Sequence, residues 1–164
     1  MQAFERELLT LLPRLRRFAR ALARDSADAD DLLQVALERA LKARDQWMPG
    51  TRLDSWMMRI VRNCWIDEMR SRARRARTFL PEEEGASVGA DSHHEIEARI
   101  ELHAVDKAMN ALPPDQREAI ALVLVEGLAY REAADLLDIP IGTLTSRLTR
   151  GRQALAQMLQ LEAA

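Results

Sequence analysis

EGLAYREAADLLDIPIGTLTSRLTRGRQAL, residues 126–155, holds two short amphipathic helices that meet at a tight corner. The first runs from Tyr130 to Leu137 and puts Ala133, Ala134 and Leu137 on one side. The corner is Asp138-Ile139-Pro140, where proline suits the first turn of a new helix because its missing N–H is not needed there. Leu144, Leu148, Gly151 and Leu155 then recur at i, i+4, i+7 and i+11, one apolar stripe on the second helix. Its other face carries Thr145, Ser146, Thr149, Arg150 and Gln153, with Thr143 at the start and Arg147 and Arg152 at the flanks. Ala134 and Gly151 are small where the two helices must cross. This is the layout of a helix-turn-helix, whose second helix lies in the DNA major groove. Hydroxyls and guanidinium groups suit base edges and phosphates, and from Arg147 onward three Arg stand against one Glu. The competing reading is a helical hairpin whose polar face is simply solvated.

The composition supports an all-α protein. Of 164 residues, 48% are hydrophobic, only 4% are aromatic and six are glycine, enough for one domain or two small ones. No apolar run is long enough to span a bilayer, and MQAFERELL does not read as a signal peptide. The single cysteine, Cys64, excludes an internal disulfide and fits the reducing cytoplasm; beside Val61, Trp65 and Ile66 it reads as a buried structural thiol. The net charge of −2 hides a strong asymmetry. Residues 59–77 set seven Arg against Asp67 and Glu68, a balance of +5, whereas residues 82–106 set eight acids against Arg99, a balance of −7. Such asymmetry concerns partners rather than fold.

From the start of the chain, residues 3–24 form a helix with Phe4, Leu8, Leu11, Leu15, Phe18 and Leu22 inward, which Pro13 should kink or divide. Ser26 is the expected N-cap of a second helix reaching Arg44, with Leu32, Leu33, Ala36, Leu37 and Ala40 buried. That leaves Asp30, Asp31, Gln34 and Glu38 as a polar, mostly acidic strip. A loop at 45–51 displays Trp47 and Met48. A long helix follows from Thr51 or Asp54, with Trp56, Ile60, Val61, Cys64 and Met69 as its apolar side and Arg59, Arg62 and Asn63 elsewhere. Trp47, Trp56 and Trp65 beside the Arg cluster suit single-stranded nucleic acid, where bases stack on rings and cations follow phosphates; the alternative places the rings in the core. Residues 78–94 break every periodicity and read as a flexible acidic linker. His93, His94, Glu95, Glu97 and His103 lack a structural zinc spacing, so no metal is expected. Helices resume at Ile96–Leu112, stop at Pro113-Pro114, and restart at Asp115 with Glu118 placed for a capping box. No phosphate loop, Ser/His/Asp set or paired-carboxylate signature points to an enzyme or to a cofactor.

Three collinear stretches, DADDLLQVALERAL, PGTRLDSWMMRIVRNCWIDEMRSRARR and LPPDQREAIALVLVEGLAYREAADLLDIPIGTLTSRLTRGRQAL, together resemble a bacterial RNA polymerase sigma factor of the compact extracytoplasmic-function (ECF) group. LLPRLRRFARAL and the PGT loop are similar to the alphaproteobacterial general-stress subgroup. The resemblance implies region 2 at residues 1–77, a linker at 78–94 and region 4 at 95–164. It also implies a cytoplasmic, non-catalytic partner of core RNA polymerase, of promoter DNA and of an anti-sigma factor, with no small-molecule substrate. Asp30, Asp31, Gln34 and Glu38 match the surface that docks on the clamp helices of the largest polymerase subunit, and region 4 would meet the flap of the second-largest. Trp47, Asp54, Ser55, Arg59, Arg62 and Asn63 match the −10 reader, where a non-template base is flipped out. Thr143, Thr145, Ser146, Arg147, Thr149, Arg150 and Arg152 match the −35 reader.

Four positions depart from that pattern. Val35 stands where the family usually has an acid, Thr145 where it has Lys or Arg, Thr149 where a larger group is common, and Asp138 where Gly is common in the turn. A bidentate arginine contact to guanine cannot come from position 145. Two other classes stay open on the residues alone: a helix-turn-helix regulator working without polymerase, and a sigma-like adaptor that binds a regulator and no DNA. A flexible run of roughly 17 residues spans about 20–25 Å. It should let the acidic stretch, Glu82, Glu83 and Glu84 included, draw the two units together in the free chain.

Overall fold

The structure, a computed structural model, describes residues 3–78 and 93–163, the side chains of 93–97 and 161–163 excepted. The described residues form helices and turns and contain no strand. Helices α1 (Ala3–Leu22), α2 (Ser26–Lys42) and α3 (Leu53–Ala76) pack on one another as a first unit. Helices α4 (His93–Ala111), α5 (Pro114–Ile120), α6 (Tyr130–Leu137) and α7 (Ile141–Ala163) form a second, with a π-helical turn at Ala121–Val125 between α5 and α6. The linker, including Glu82, Glu83 and Glu84, falls largely on residues 79–92, outside the described residues, as do the side chains of His93, His94, Glu95 and Glu97.

Helix α1 runs through Pro13 without a break. An interior proline costs about 3 kcal/mol, and each fully buried large apolar side chain returns about 1.5–3 kcal/mol. Phe4 and Leu8 before it and Leu15, Phe18 and Leu22 after it are all buried on one face, which outweighs the lost bond. The N-cap of α2 is Asp25 rather than Ser26: its carboxylate accepts from Asp28 N–H at 2.8 Å. In α3 the buried face is Leu53, Met57, Met58, Val61, Cys64 and Trp65, while Trp56, Ile60 and Met69 are only partly covered, a face turned from the expected one. Contacts from both neighbouring helices, not the α3 pattern alone, select that face. The capping box at Asp115 does not form, because Pro113 precedes α5 and the Glu118 side chain turns to Arg62.

The helix-turn-helix is built as the spacing predicts. Asp138 ends α6 in the left-handed region (φ 56°), and Ile139 N–H reaches back to Ala134 O at 3.0 Å while Asp138 N–H reaches Asp135 O at 3.2 Å. That pair of bonds is the Schellman ending of a helix. Leu144 and Leu148 are buried, and Leu155 is partly so. Gly151 serves a different crossing from the one expected: a Cβ there would meet Ile120 Cγ1 of α5 at 3.0 Å, not Ala134.

The two units are packed together. Glu126, whose side chain is fully buried, accepts from Arg14 Nε at 2.9 Å and from Arg17 Nε at 3.0 Å, both on α1. Arg62 of α3 donates to Glu118 at 2.8 Å, Arg52 pairs with Glu132, and Arg20 pairs with Asp106. Arg117, 7% exposed, reaches from α5 to Leu22 O at the end of α1 (3.2 Å) and lies 5.7 Å over the Trp65 ring. Among the described residues these contacts use acids of the second unit itself; only Asp106 belongs to the −7 stretch.

Glu126→Ala should lower stability by about 1.5–3 kcal/mol, because charge-assisted bonds to two arginines are lost. It should also raise the radius of gyration in small-angle scattering; an unchanged melting curve and scattering profile would show the carboxylate to be dispensable. Asp138→Gly should raise stability by about 0.5–1 kcal/mol, since glycine adopts the left-handed conformation without the Cβ penalty. A lower melting temperature than that of the unsubstituted protein would contradict this account of the turn.

Candidate nucleic-acid interface

Three surfaces carry the residues singled out by sequence. On α2, Asp30, Asp31, Gln34 and Glu38 are all exposed, as is Val35. The strip is on one side because Leu32, Leu33 and Ala36 take the opposite side into the core. Among the described residues Asp30 has only a 3.9 Å approach to the exposed Arg16, so it remains available to a partner. Beside the strip, a cavity of about 620 Å³ is lined by Asp31, Val35, Trp65, Met69 and Arg117 among others.

The second surface is the start of α3 with the turn before it. Trp47 is partly buried, its ring centroid 5.6 Å from that of Phe4, and Trp56 meets the same Phe4 edge-on at 6.1 Å. Trp65 is core, 4% exposed, so the rings do not form a free stacking platform. Asp54 accepts from Arg52 and from Arg14 at 2.7 Å each, and Ser55 N–H donates to it at 2.8 Å. Burial raises the pKa of that carboxyl, but Arg52, the Ser55 N–H and Arg14 outweigh it and hold the group down at about 2. Asp54 is therefore a fixed anion that orders two arginines. Arg62 is engaged by Glu118, and Arg59 donates to Asp135 O at 3.2 Å. Asn63 is exposed, with its Oδ1 3.4 Å from Arg62 Nη1. Of the residues assigned to −10 DNA, Arg59 and Arg62 thus reach the second unit, while Asn63 is exposed and Trp47 and Asp54 are held within the first.

The third surface, the outer side of α7, is open. Thr145, Ser146, Thr149, Arg150 and Arg152 are exposed, and Thr143 is partly so. Arg147 is drawn aside, 3.6 Å from Asp115 and 4.0 Å from Glu118. The hydroxyls of Thr145, Ser146 and Thr149 donate to Ile141 O, Gly142 O and Thr145 O at 2.9, 3.0 and 2.9 Å.

Sequence reasoning missed Arg14, Arg17, Arg117 and Glu126, and gave Glu118 a capping role in place of its bond to Arg62. Arg117 is buried without a carboxylate in its hydrogen bonds, which go to Leu22, Asn110 and Leu112 carbonyls. Burial lowers its pKa. Arg14 and Arg17 share a helix side at i, i+3, but Glu126 lies more than a hundred residues away and nothing local announces the pairing.

Residues 8–75 match the family Sigma-70 region 2, and residues 102–155 match Sigma-70, region 4. The chain is 34% identical to the ECF RNA polymerase sigma factor EcfG of Rhodopseudomonas palustris, over 96% of this chain and 86% of that protein. It is 32% identical to the RNA polymerase sigma factor CarQ of Myxococcus xanthus, over 96% and 89%. Its fold superposes on the sigma factor RpoE of Bartonella quintana, solved in complex with the anti-sigma factor NepR. That match has a TM-score of 0.83 and 34% identity, over 98% of both chains. With both sigma regions matched in order and relatives of this kind along almost its full length, the chain belongs to the ECF group of RNA polymerase sigma factors.

Proposed function

We propose that this sigma factor rests in the packed arrangement and is opened at the seam when core RNA polymerase takes it up to start transcription from −10/−35 promoters. The observation that supports it most is the division of its surfaces. The acidic strip of α2 and the outer face of α7 are exposed, while Arg59, Arg62 and Asp54 are engaged across or beside the seam. A chain in this arrangement can meet a protein partner through α2, while Arg62 of α3, bound by Glu118, is held back from an opened DNA strand. Residues 1–77 act as region 2, 78–94 as the linker and 95–164 as region 4, which reaches the flap of the second-largest polymerase subunit.

Asp30, Asp31, Gln34 and Glu38 dock on the clamp helices. Trp47, Asp54, Ser55, Arg59, Arg62 and Asn63 form the −10 site once Glu118 is withdrawn. Extruding a base there costs a few kcal/mol, offset by contacts in the pocket and by arginines freed to neutralise phosphates. Thr143, Thr145, Ser146, Arg147, Thr149, Arg150 and Arg152 read the −35 duplex. The polymerase carries out the chemistry, in the cytoplasm. An anti-sigma factor of the kind bound to the Bartonella quintana protein would hold the packed form and compete with polymerase. No described helix is long and apolar enough to cross a membrane.

Asp31→Arg should weaken binding to core polymerase about tenfold or more by setting like charges against each other. The fold should survive, because the side chain is exposed. Undiminished capture by immobilised core would refute the docking role. Asn63→Ala should reduce permanganate reactivity of the −10 region with the holoenzyme while leaving −35 duplex binding intact. Normal reactivity would remove Asn63 from the melting site. Trp47→Ala is a poorer probe, because the ring also packs on Phe4.

A further inference from the structure

The outer face of α7 has a chemical bias that its residue types alone do not show. Threonine and serine hydroxyls can both donate and accept. Here each proton is already committed one turn back along the helix: Thr145 to Ile141 O at 2.9 Å, Ser146 to Gly142 O at 3.0 Å, and Thr149 to Thr145 O at 2.9 Å. Donating to a base would break one bond to make another, with no net gain. Accepting from a base breaks nothing. What Thr145 and Thr149 can offer is therefore oxygen lone pairs and a methyl group, and the side-chain rotamer that makes the internal bond holds both in place.

In the major groove an A·T pair shows an adenine N6 amino donor next to the thymine methyl, whereas guanine shows only acceptors, N7 and O6. An acceptor with a methyl beside it matches A·T on both counts. Against a G·C pair it finds the cytosine N4 donor but no methyl, and it faces guanine with nothing to donate. Resting on the reading of α7 as the −35 helix, we propose that Thr145 and Thr149 are specificity-determining residues. Each selects an A·T pair, and guanine recognition is left to the exposed Arg150 and Arg152. Four residues of helix rise about 6 Å, so the two threonines face positions about two base pairs apart. Arg147 does not supply the missing donor in this arrangement, because Asp115 at 3.6 Å holds it at the root of the helix.

The test is run-off transcription by core polymerase reconstituted with the full-length chain, on a promoter library randomised across the −35 element and read by sequencing. The wild-type profile should favour A·T about fivefold at two positions about two base pairs apart, the lower end of what one base contact supplies. Thr145→Lys should convert one of these positions to guanine and leave the other unchanged. Thr145→Val, which keeps a methyl and removes the acceptor, should lose the adenine component at the same position without a new guanine preference. A wild-type preference for guanine at both positions, or a profile that neither variant moves, would overturn the proposal while leaving α7 as the −35 reader. Transcription with no dependence on the −35 sequence would overturn both. Position 145 is exposed, so the variants can be checked for unchanged melting before use.

Discussion

A carboxylate with no exposure to solvent, Glu126, sits between two arginines of the first helix, and the arrangement of both units depends on it. Left unpaired, a buried carboxylate would cost several kcal/mol, so the turn that carries it has little choice but to lie against α1. Helix α1 then serves two cores at once. Leu15, Phe18 and Leu22 enter the three-helix unit, while Arg14 and Arg17 present their guanidinium groups to the second unit. The buried apolar residues of the two units run together into one cluster, and the ion pairs lie around it. Separating the units therefore exposes apolar surface as well as charge.

That balance shapes how the protein meets its partners. An interface inside a chain behaves much like a transient protein–protein contact, so motion at the seam is expected rather than exceptional. If DNA and polymerase require the open form, every affinity measured for them is weakened by the fraction of molecules that is open. A partner that binds both forms equally would shift nothing, however tightly it bound. Glu118 holds Arg62 at 2.8 Å and lies 4.0 Å from Arg147, so one acid approaches a residue from each of the two sets proposed to read DNA. Withdrawing it frees Arg62, while Asp115 still holds Arg147 at 3.6 Å.

Much of this was legible in the sequence, and what was not has physical reasons. The helix-turn-helix could be read because its corner chemistry and its apolar stripe are local; that Asp138 takes the left-handed conformation in place of glycine is seen only in the structure. The acidic strip of α2 could be read because the core side beneath it is strictly periodic. The buried face of α3 could not, since that helix is apolar or aromatic on several sides and its neighbours choose among them. Charge counting indicated that acidic and basic segments would meet, but it could not say that Glu118 and Glu126 would do so. Their partners lie 56 and about 110 residues away in the chain. Arg117 was invisible for the same reason: an arginine that bonds to carbonyls of α1 and α4 has no sequence signature.

The π-helical turn at Ala121–Val125 has a consequence for how the chain tolerates change in length. Its hallmark is a wide hydrogen bond, from Glu126 N–H to Ala121 O at 3.0 Å, five residues back instead of four. In effect one residue has been inserted into a helix without shifting what precedes it. Each residue of an α-helix advances the phase by about 100°, so removing one here would regularise the spiral and swing Glu126 by that angle. Its carboxylate would leave the α1 arginines, and the helix-turn-helix beyond would be carried round with it. Ordinary substitutions at the exposed Leu124 or Val125 would leave the phase untouched. Within this turn the number of residues matters more than their identity.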